Sequence, residues 1–282
     1  MATFFNQATL SYSGGTVNSN VTTGELVEVL TVTKTAVVND YTQGDEITYA
    51  VNLINTGATA LTGLTLTDDL GAYGFGEQTL VPLDYIEGSV KVFADGVLQP
   101  TPTVTAGPPL VIGDIDVPAD GVTTVLYTVR ANSFAAPVGT GEITNTVTVS
   151  GGVTPVEASE TITAAEEPSL MITKAVSPTT VSENGQLTYT FVIQNNGNAA
   201  ATAADAIVVT DTFDPILSDI TVTYNGAVWT QPDDYTYNEA TGEFATVAGQ
   251  ITVPAATFTQ DPVTGVWATT PGEATLIVSG TV

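Results

Sequence analysis

The chain contains no cysteine and no histidine, and only four of its 282 residues are lysine or arginine. The first two absences exclude disulfide bonds, thiolate or imidazole metal ligands, and catalysis by either side chain. Thirty acidic residues give a formal charge of −26, which repels nucleic acids and anionic membranes. The acidic stretch DIDVPADG at 114–121 lacks the spacing of a calcium loop and is interpreted as a solvated turn. We therefore expect no cofactor, no metal and no nucleic-acid partner.

Long apolar runs are also absent, so no membrane-spanning segment is predicted. The start, MATFFNQATL, has neither a basic region nor a sufficient apolar stretch, and no signal peptide is recognised. Apolar residues nevertheless make up 43% of the chain, which is enough for hydrophobic cores. Threonine and valine are abundant, glycine and proline separate short runs, and helical periodicity is nearly missing. This composition predicts an all-β protein of about two domains.

Several stretches of the chain occur twice. LTVTKTAV at 30–37 returns as LMITKAVS at 170–177, which aligns Lys34 with Lys174. ITYAVNLINTG and LTLTDDL return as LTYTFVIQNNG and IVVTDTF, and the hairpin signals FADGV and TYNGA also correspond. We predict two tandem immunoglobulin-like β-sandwich domains at residues 29–166 and 169–282, joined by the linker AAEEPS.

The two copies differ at their ends. Domain 1 continues through two further strands at 143–152 and 156–167, and domain 2 stops before their counterparts. A matching pattern lies in residues 1–28, where FFNQATLSYSGG aligns with ITNTVTVSGG and pairs Asn6 with Asn145. The second domain is thus predicted to be incomplete, with its last hairpin moved to the N-terminus as a donor-strand arm.

A sandwich without its closing strands exposes an apolar groove and unpaired backbone edges. The arm has the matching pattern, with Phe4, Asn6, Ala8 and Leu10 on one face. Strand addition between chains satisfies both surfaces, and a head-to-tail contact that does not close builds a filament. Two alternatives are closure of the arm onto domain 2 of the same chain, and a sequence cut from a longer protein.

Period-two alternation also places polar side chains on core-facing positions. Lys34, Asp68 and Asn145 each occupy an inward position on a different strand. An apolar site favours a neutral lysine amine, which can attack the asparagine amide while a protonated aspartic acid transfers protons. The product is a Lys–Asn isopeptide bond, formed once and without turnover. The alternative is a buried ion-paired cluster of the same residues.

The openings TKTA and TKAV, the turns NTG and NNG, the strand ends TDD and TDT, and ITNTVTV resemble the DUF11 repeat domain of bacterial and archaeal surface proteins. The resemblance covers residues 29–282 and the arm, and implies an immunoglobulin-like sandwich with an extracellular structural role. The Lys/Asn/acid set is more distantly similar to the isopeptide-forming domains of Gram-positive pilins and adhesins. Carried over, that similarity gives a Lys34–Asn145 bond with Asp68 as the acid.

For domain 2 the candidate asparagine lies in the arm, so Lys174 and Asp211 of one subunit are expected to react with Asn6 of the next. The chain would then be a self-associating subunit of an extracellular, cell-surface or spore-surface filament. Endospore appendage proteins are similar in lacking a signal peptide, and a removed signal is the other explanation. The competing function is a monomeric adhesin module that binds an unknown surface ligand through the aromatic loops 71–85 and 229–244. No enzymatic constellation beyond the single-turnover cross-link is found.

Overall fold

The computed structural model describes residues 2–26 and 28–282, and it is all-β, as the sequence predicts. In the described residues the helical element is one short 3₁₀ turn, Ala203–Asp205, and no helix there has the length and apolar character needed to cross a bilayer. The chain divides into two compact units. One comprises the described residues up to 39, 44–132 and 143–162, and the other comprises 40–43, 133–142 and 163–282. The continuous domain boundaries given above stay a prediction.

The arm is a β-hairpin with an irregular middle. Its strands are β1 (Ala2–Asn6), β2 (Thr9–Tyr12), β3 (Gly15–Asn18) and β4 (Thr22–Leu26). Strand β1 pairs with β4, and β2 pairs with β3. Asn6 lies opposite Thr22, and Thr9 lies opposite Asn18. The segment between Asn18 and Thr22 therefore has one residue more than the segment between Asn6 and Thr9. The continuous strand expected through Phe4 and Leu10 is therefore interrupted at Gln7 and Ala8, a bulge that the alternation of residue types did not reveal.

The strands that follow the arm have the period-two alternation that a half-buried strand requires. They are β5 (Leu30–Ala36), β6 (Asp40–Tyr41), β7 (Glu46–Asn55), β8 (Leu61–Asp68), β9 (Tyr73–Phe75), β10 (Gln78–Leu80), β11 (Leu83–Tyr85), β12 (Lys91–Ala94), β13 (Val97–Leu98), β14 (Thr103–Thr105), β15 (Leu110–Val117), β16 (Val122–Ala131), β17 (Glu142–Ser150) and β18 (Val156–Ala164).

These strands form two main sheets. One has the order β13-β12-β16-β7-β5, with β11 also paired to β16, and the other has the order β14-β15-β8-β17-β18-β6. Leucine, isoleucine and valine from both sheets are buried, which gives the core of a β-sandwich. Strand β8 lies between β15 and β17, so both its edges are hydrogen-bonded. Strands β17 and β18 are the two final strands that the sequence predicts.

The second unit contains β19 (Leu170–Ser177), β20 (Gln186–Asn195), β21 (Thr210–Thr212), β22 (Ser218–Tyr224), β23 (Ala227–Trp229), β24 (Tyr235–Asn238), β25 (Glu243–Thr246), β26 (Thr257–Gln260), β27 (Trp267–Thr270) and β28 (Gly272–Thr281). Its larger sheet has the order β19-β20-β28-β22-β23, and the smaller has the order β21-β25-β24. Strand β21 is therefore the edge strand of a three-stranded sheet among the described residues.

Both predicted hairpins are confirmed, and their turn residues explain them. Strands β12 and β13 meet at Asp95-Gly96, and β22 and β23 meet at Asn225-Gly226. All four turn residues have positive φ angles, between 45° and 82°, as a type I′ turn requires.

Three stretches interpreted as loops or turns contain strands. Residues 71–85 include β9, β10 and β11, and residues 229–244 include β24. In the second of these, Tyr235, Tyr237 and Phe244 are core residues, which is why they are aromatic. The acidic stretch at 114–121 begins within β15, so the solvated turn is confined to its second half.

Candidate functional site

A lysine and an aspartate form a buried ion pair in the core of the sandwich. Lys34 lies on β5 and Asp68 ends β8, and Nζ is 2.6 Å from Oδ2 with side chains 0% and 2% exposed. Burial lowers the pKa of Lys34 below its ordinary value, and the attraction of Asp68 opposes that shift in part. A lowered lysine pKa increases the fraction of the neutral, nucleophilic amine.

Two tyrosines, which the sequence reasoning missed, enclose this pair. Tyr49 on β7 lies opposite Tyr127 on β16, and their rings stack with centroids 5.7 Å apart. The Lys34 ammonium is 4.8 Å from the centre of the Tyr49 ring. The Tyr127 hydroxyl donates a hydrogen bond to Oδ2 of Asp68, which also accepts from Lys34. The signal was present in the alternation of β7, where Tyr49 falls on the inward face.

Asn145 is the third member of the predicted set. It is fully buried on β17, two residues before Val147, which pairs with Asp68. Neither its Nδ2 nor its Oδ1 has a hydrogen-bond partner, and the Tyr49 hydroxyl is also buried without one. An unsatisfied buried polar group costs about 1–3 kcal/mol, so two unpaired amide atoms in one side chain call for a chemical reason.

The structure thus brings Lys34, Asp68 and Asn145 into one enclosed core with two tyrosines. Glu160, on the inward side of β18, is a further acidic neighbour that sequence reasoning did not select, and its charge raises the pKa values of Lys34 and Tyr49 as a minor contribution. An amine, an amide and a carboxyl group held together away from water are the components of amide transfer.

The second unit repeats part of this arrangement. Lys174 on β19 forms an ion pair with Asp211 on β21, and its ammonium is 4.5 Å from the centre of the Tyr189 ring. Tyr189 lies opposite Val278, whereas Tyr49 lies opposite Tyr127. The Lys174 and Asp211 side chains are 40% and 17% exposed, so this pair is open to water.

The two lysine strands differ in the exposure of their apolar faces. Leu30 and Val32 of β5 are each 7% exposed, whereas Leu170 and Ile172 of β19 are 41% and 50% exposed. The two strands share one alternating pattern, but the apolar face of β5 is buried in a core and the apolar face of β19 is exposed to solvent.

The arm residues are also exposed. Phe4 is 57% and Leu10 is 64% exposed, and Asn6 and Ala8 belong to the same exposed class. The Phe4 ring covers Gly24 on the opposite strand, where an added Cβ would come within 2.3 Å of it. The arm thus presents a large apolar surface.

The chain matches no protein-family model and no curated protein. Its fold is similar to solved pilus proteins at low identity. It is 13% identical to the pilus backbone protein RrgB of Streptococcus pneumoniae, with a TM-score of 0.35, over 86% of this chain and 55% of RrgB. It is 12% identical to BcpA, the major pilin subunit of Bacillus cereus, with a TM-score of 0.36, over 96% of this chain and 73% of BcpA. This chain thus spans about half the length of RrgB.

Proposed function

We propose that the chain is the structural subunit of an extracellular or spore-surface filament. Subunits join head to tail when the N-terminal arm of one chain adds its strands to the second domain of its neighbour. Lys–Asn isopeptide bonds then lock the fibre, Lys34 to Asn145 within a subunit and Lys174 to Asn6 between subunits.

The observation that carries this proposal is the contrast between β5 and β19. The two strands have the same pattern, but the apolar face of β5 is buried and that of β19 is exposed. In the first unit, one edge of β8 pairs with β17. The corresponding strand of the second unit is β21, and its equivalent edge has no partner strand among the described residues. A strand equivalent to β17 would satisfy that edge and cover the face of β19.

The arm has the properties that such a strand needs. It is a two-stranded hairpin, as β17 and β18 are neighbours in their sheet, and its apolar side chains are exposed. It also carries Asn6 at the position that aligns with Asn145. Docking would bury Phe4 and Leu10, and burial of such side chains contributes about 1.5–3 kcal/mol each.

The chemistry of the bond is balanced within the site. The Lys34 ammonium gives one proton to Asp68, and the neutral Nζ attacks Cγ of Asn145 to form a tetrahedral centre. Asp68 then gives its proton to the leaving Nδ2 and takes one from Nζ. The Cγ–Nδ2 bond breaks, ammonia leaves, and the isopeptide amide remains. Each bond therefore removes the mass of one ammonia molecule, and Asp211 has the same role for Lys174.

The test is to boil the purified protein in SDS, separate it on a gel and measure intact masses. A ladder of resistant multimers, with one ammonia lost for each bond, is expected. Asn6→Ala should reduce the ladder to monomers that still lack one ammonia, and Asn145→Ala is the matched change at the intramolecular site. A monomer of full calculated mass would overturn both bonds, and electron microscopy would then decide on a non-covalent fibre.

Trypsin provides an independent map, because the chain has so few cleavage sites. The basic residues are Lys34, Lys91, Arg130 and Lys174. An acylated lysine is not cleaved, so denatured protein with a Lys34–Asn145 bond should release no peptide that ends at Lys34. Residues 35–91 should instead stay attached to the peptide that contains Asn145. Cleavage at Lys34 in all molecules would rule out this bond.

A further inference from the structure

The Tyr49 hydroxyl is a buried polar group of the described core that has no hydrogen-bond partner and no role in the chemistry above. The residue is 0% exposed, and its hydroxyl interacts with the side chain of Asn145, whose amide atoms also have no hydrogen-bond partner. Burial raises the pKa of Tyr49 above its ordinary value, and interaction with the Asn145 side chain lowers it by a smaller amount. The hydroxyl therefore keeps its proton and remains a hydrogen-bond donor at neutral pH.

We propose that Tyr49 is a catalytic residue whose hydroxyl donates to Oδ1 of Asn145 during isopeptide formation. This inference rests on the proposed Lys34–Asn145 bond. When Nζ attacks Cγ, the carbonyl electron pair moves to Oδ1, which becomes an oxyanion. A buried donor that reaches that oxygen stabilises the transition state more than the neutral amide, which is the condition for catalysis.

The positions around the lysine support this role for Tyr49 rather than for Tyr127. The Tyr127 hydroxyl is already engaged with Asp68, so it holds the acid in place. Tyr49 contacts the nucleophile as well, because its ring lies below the Lys34 ammonium. The aligned residue in the second unit is again a tyrosine, Tyr189, with Lys174 above its ring. Tyr127 has a valine, Val278, as its counterpart, so the shared tyrosine is the one beside the lysine.

The test is Tyr49→Phe in the full chain, synthesised in a cell-free reaction and sampled over time. Each sample is stopped in acid, and its intact mass gives the fraction that has lost ammonia. Removal of one oxyanion donor lowers a rate by roughly 100-fold or more, and that slowing is expected here. Tyr85→Phe, at a partly buried tyrosine of β11, is the matched control and should react as the unchanged chain does. Circular dichroism checks that Tyr49→Phe is folded.

The outcomes separate the two proposals. If the unchanged chain never loses ammonia, the bond itself is absent. If the unchanged chain reacts and folded Tyr49→Phe reacts at the same rate, Tyr49 is not catalytic. Should Tyr49→Phe not fold, Tyr189→Phe decides, because Tyr189 has the same position next to the lysine ammonium in the second unit. It should slow the appearance of the SDS-resistant ladder to a similar degree, and an unchanged ladder rate would overturn the inference.

Discussion

At the scale of single residues, the buried ion pair should dominate the stability of the first unit. Lys34→Ala leaves the Asp68 carboxylate in the core without its countercharge, and removes the proposed bond. Loss of one member of a buried pair costs about 3–5 kcal/mol. We expect the free energy of unfolding, measured in urea, to fall by at least that amount.

The matched control for this change is Lys91→Ala. Lys91 is exposed, and its ammonium contacts the Gly88 carbonyl at 3.4 Å. Exposed substitutions of this kind are usually within about 0.5 kcal/mol of the starting protein. Equal losses from both variants would show that the Lys34–Asp68 pair contributes little.

The two core tyrosines predict a loss of stability at alkaline pH. Burial, with a smaller contribution from the Asp68 charge, raises the pKa of Tyr127 well above the ordinary 10.0. A raised folded-state pKa means that the folded chain keeps a proton that the unfolded chain releases. The contribution of Tyr127 to the free energy of unfolding is therefore complete below pH 10 and is lost as pH rises towards the folded-state pKa.

Tyr127→Phe isolates this effect because it removes one titrating group. Between pH 10 and 11.5, the unfolding free energy of the unchanged chain should fall more steeply than that of the variant. One proton corresponds to a slope of about 1.4 kcal/mol per pH unit. Urea midpoints measured at several pH values give both slopes, and parallel slopes would contradict a raised pKa in the folded state.

At the scale of strands, the repeat allows the same substitution to be compared at aligned positions of β5 and β19. Val32 and Ile172 occupy aligned positions of β5 and β19, but they are 7% and 50% exposed. Val32→Asp places a charge in the core and should unfold the first unit, because an unpaired buried charge costs several kcal/mol. Ile172→Asp should leave the monomer folded and abolish filaments, since it places a charge on the face where we propose that the arm docks.

Thermal unfolding of the monomer and negative-stain electron microscopy distinguish these effects. Filaments that form normally from Ile172→Asp would exclude the face of β19 as the docking surface. Thr173→Asp, on the opposite face of the same strand, is the control for a changed charge alone, and it should polymerise.

Strand patterns explain which parts of the fold were predictable. Lys34 and Asp68 are buried where alternation predicts them, because a strand has two faces and one of them meets the core. Alternation does not report how two sequences pair across a hairpin, so the bulge near Gln7 was missed. It also does not reveal which inward side chains come together from separate strands, which is why Tyr49 and Tyr127 were identified from the structure alone.

At the scale of the whole molecule, charge should oppose assembly. The chain has a formal charge of −26, so in the proposed filament every added subunit would bring two strongly negative molecules together. The proposed contacts are apolar strand docking and a bond inside the core, neither of which gains from long-range attraction. Assembly should therefore be slow at low ionic strength and faster when salt screens the repulsion.

Light scattering at pH 7 measures this directly. The Debye length falls from about 30 Å at 0.01 M salt to about 10 Å at 0.1 M, so the largest gain in elongation rate should lie between those concentrations. Asn6→Ala separates strand docking from the covalent bond. The elongation rate of this variant should depend on salt as before, and its covalent ladder should disappear. If the elongation rate instead falls with added salt, attraction between opposite charges joins the subunits. Apolar strand docking would then not be the main contact between them.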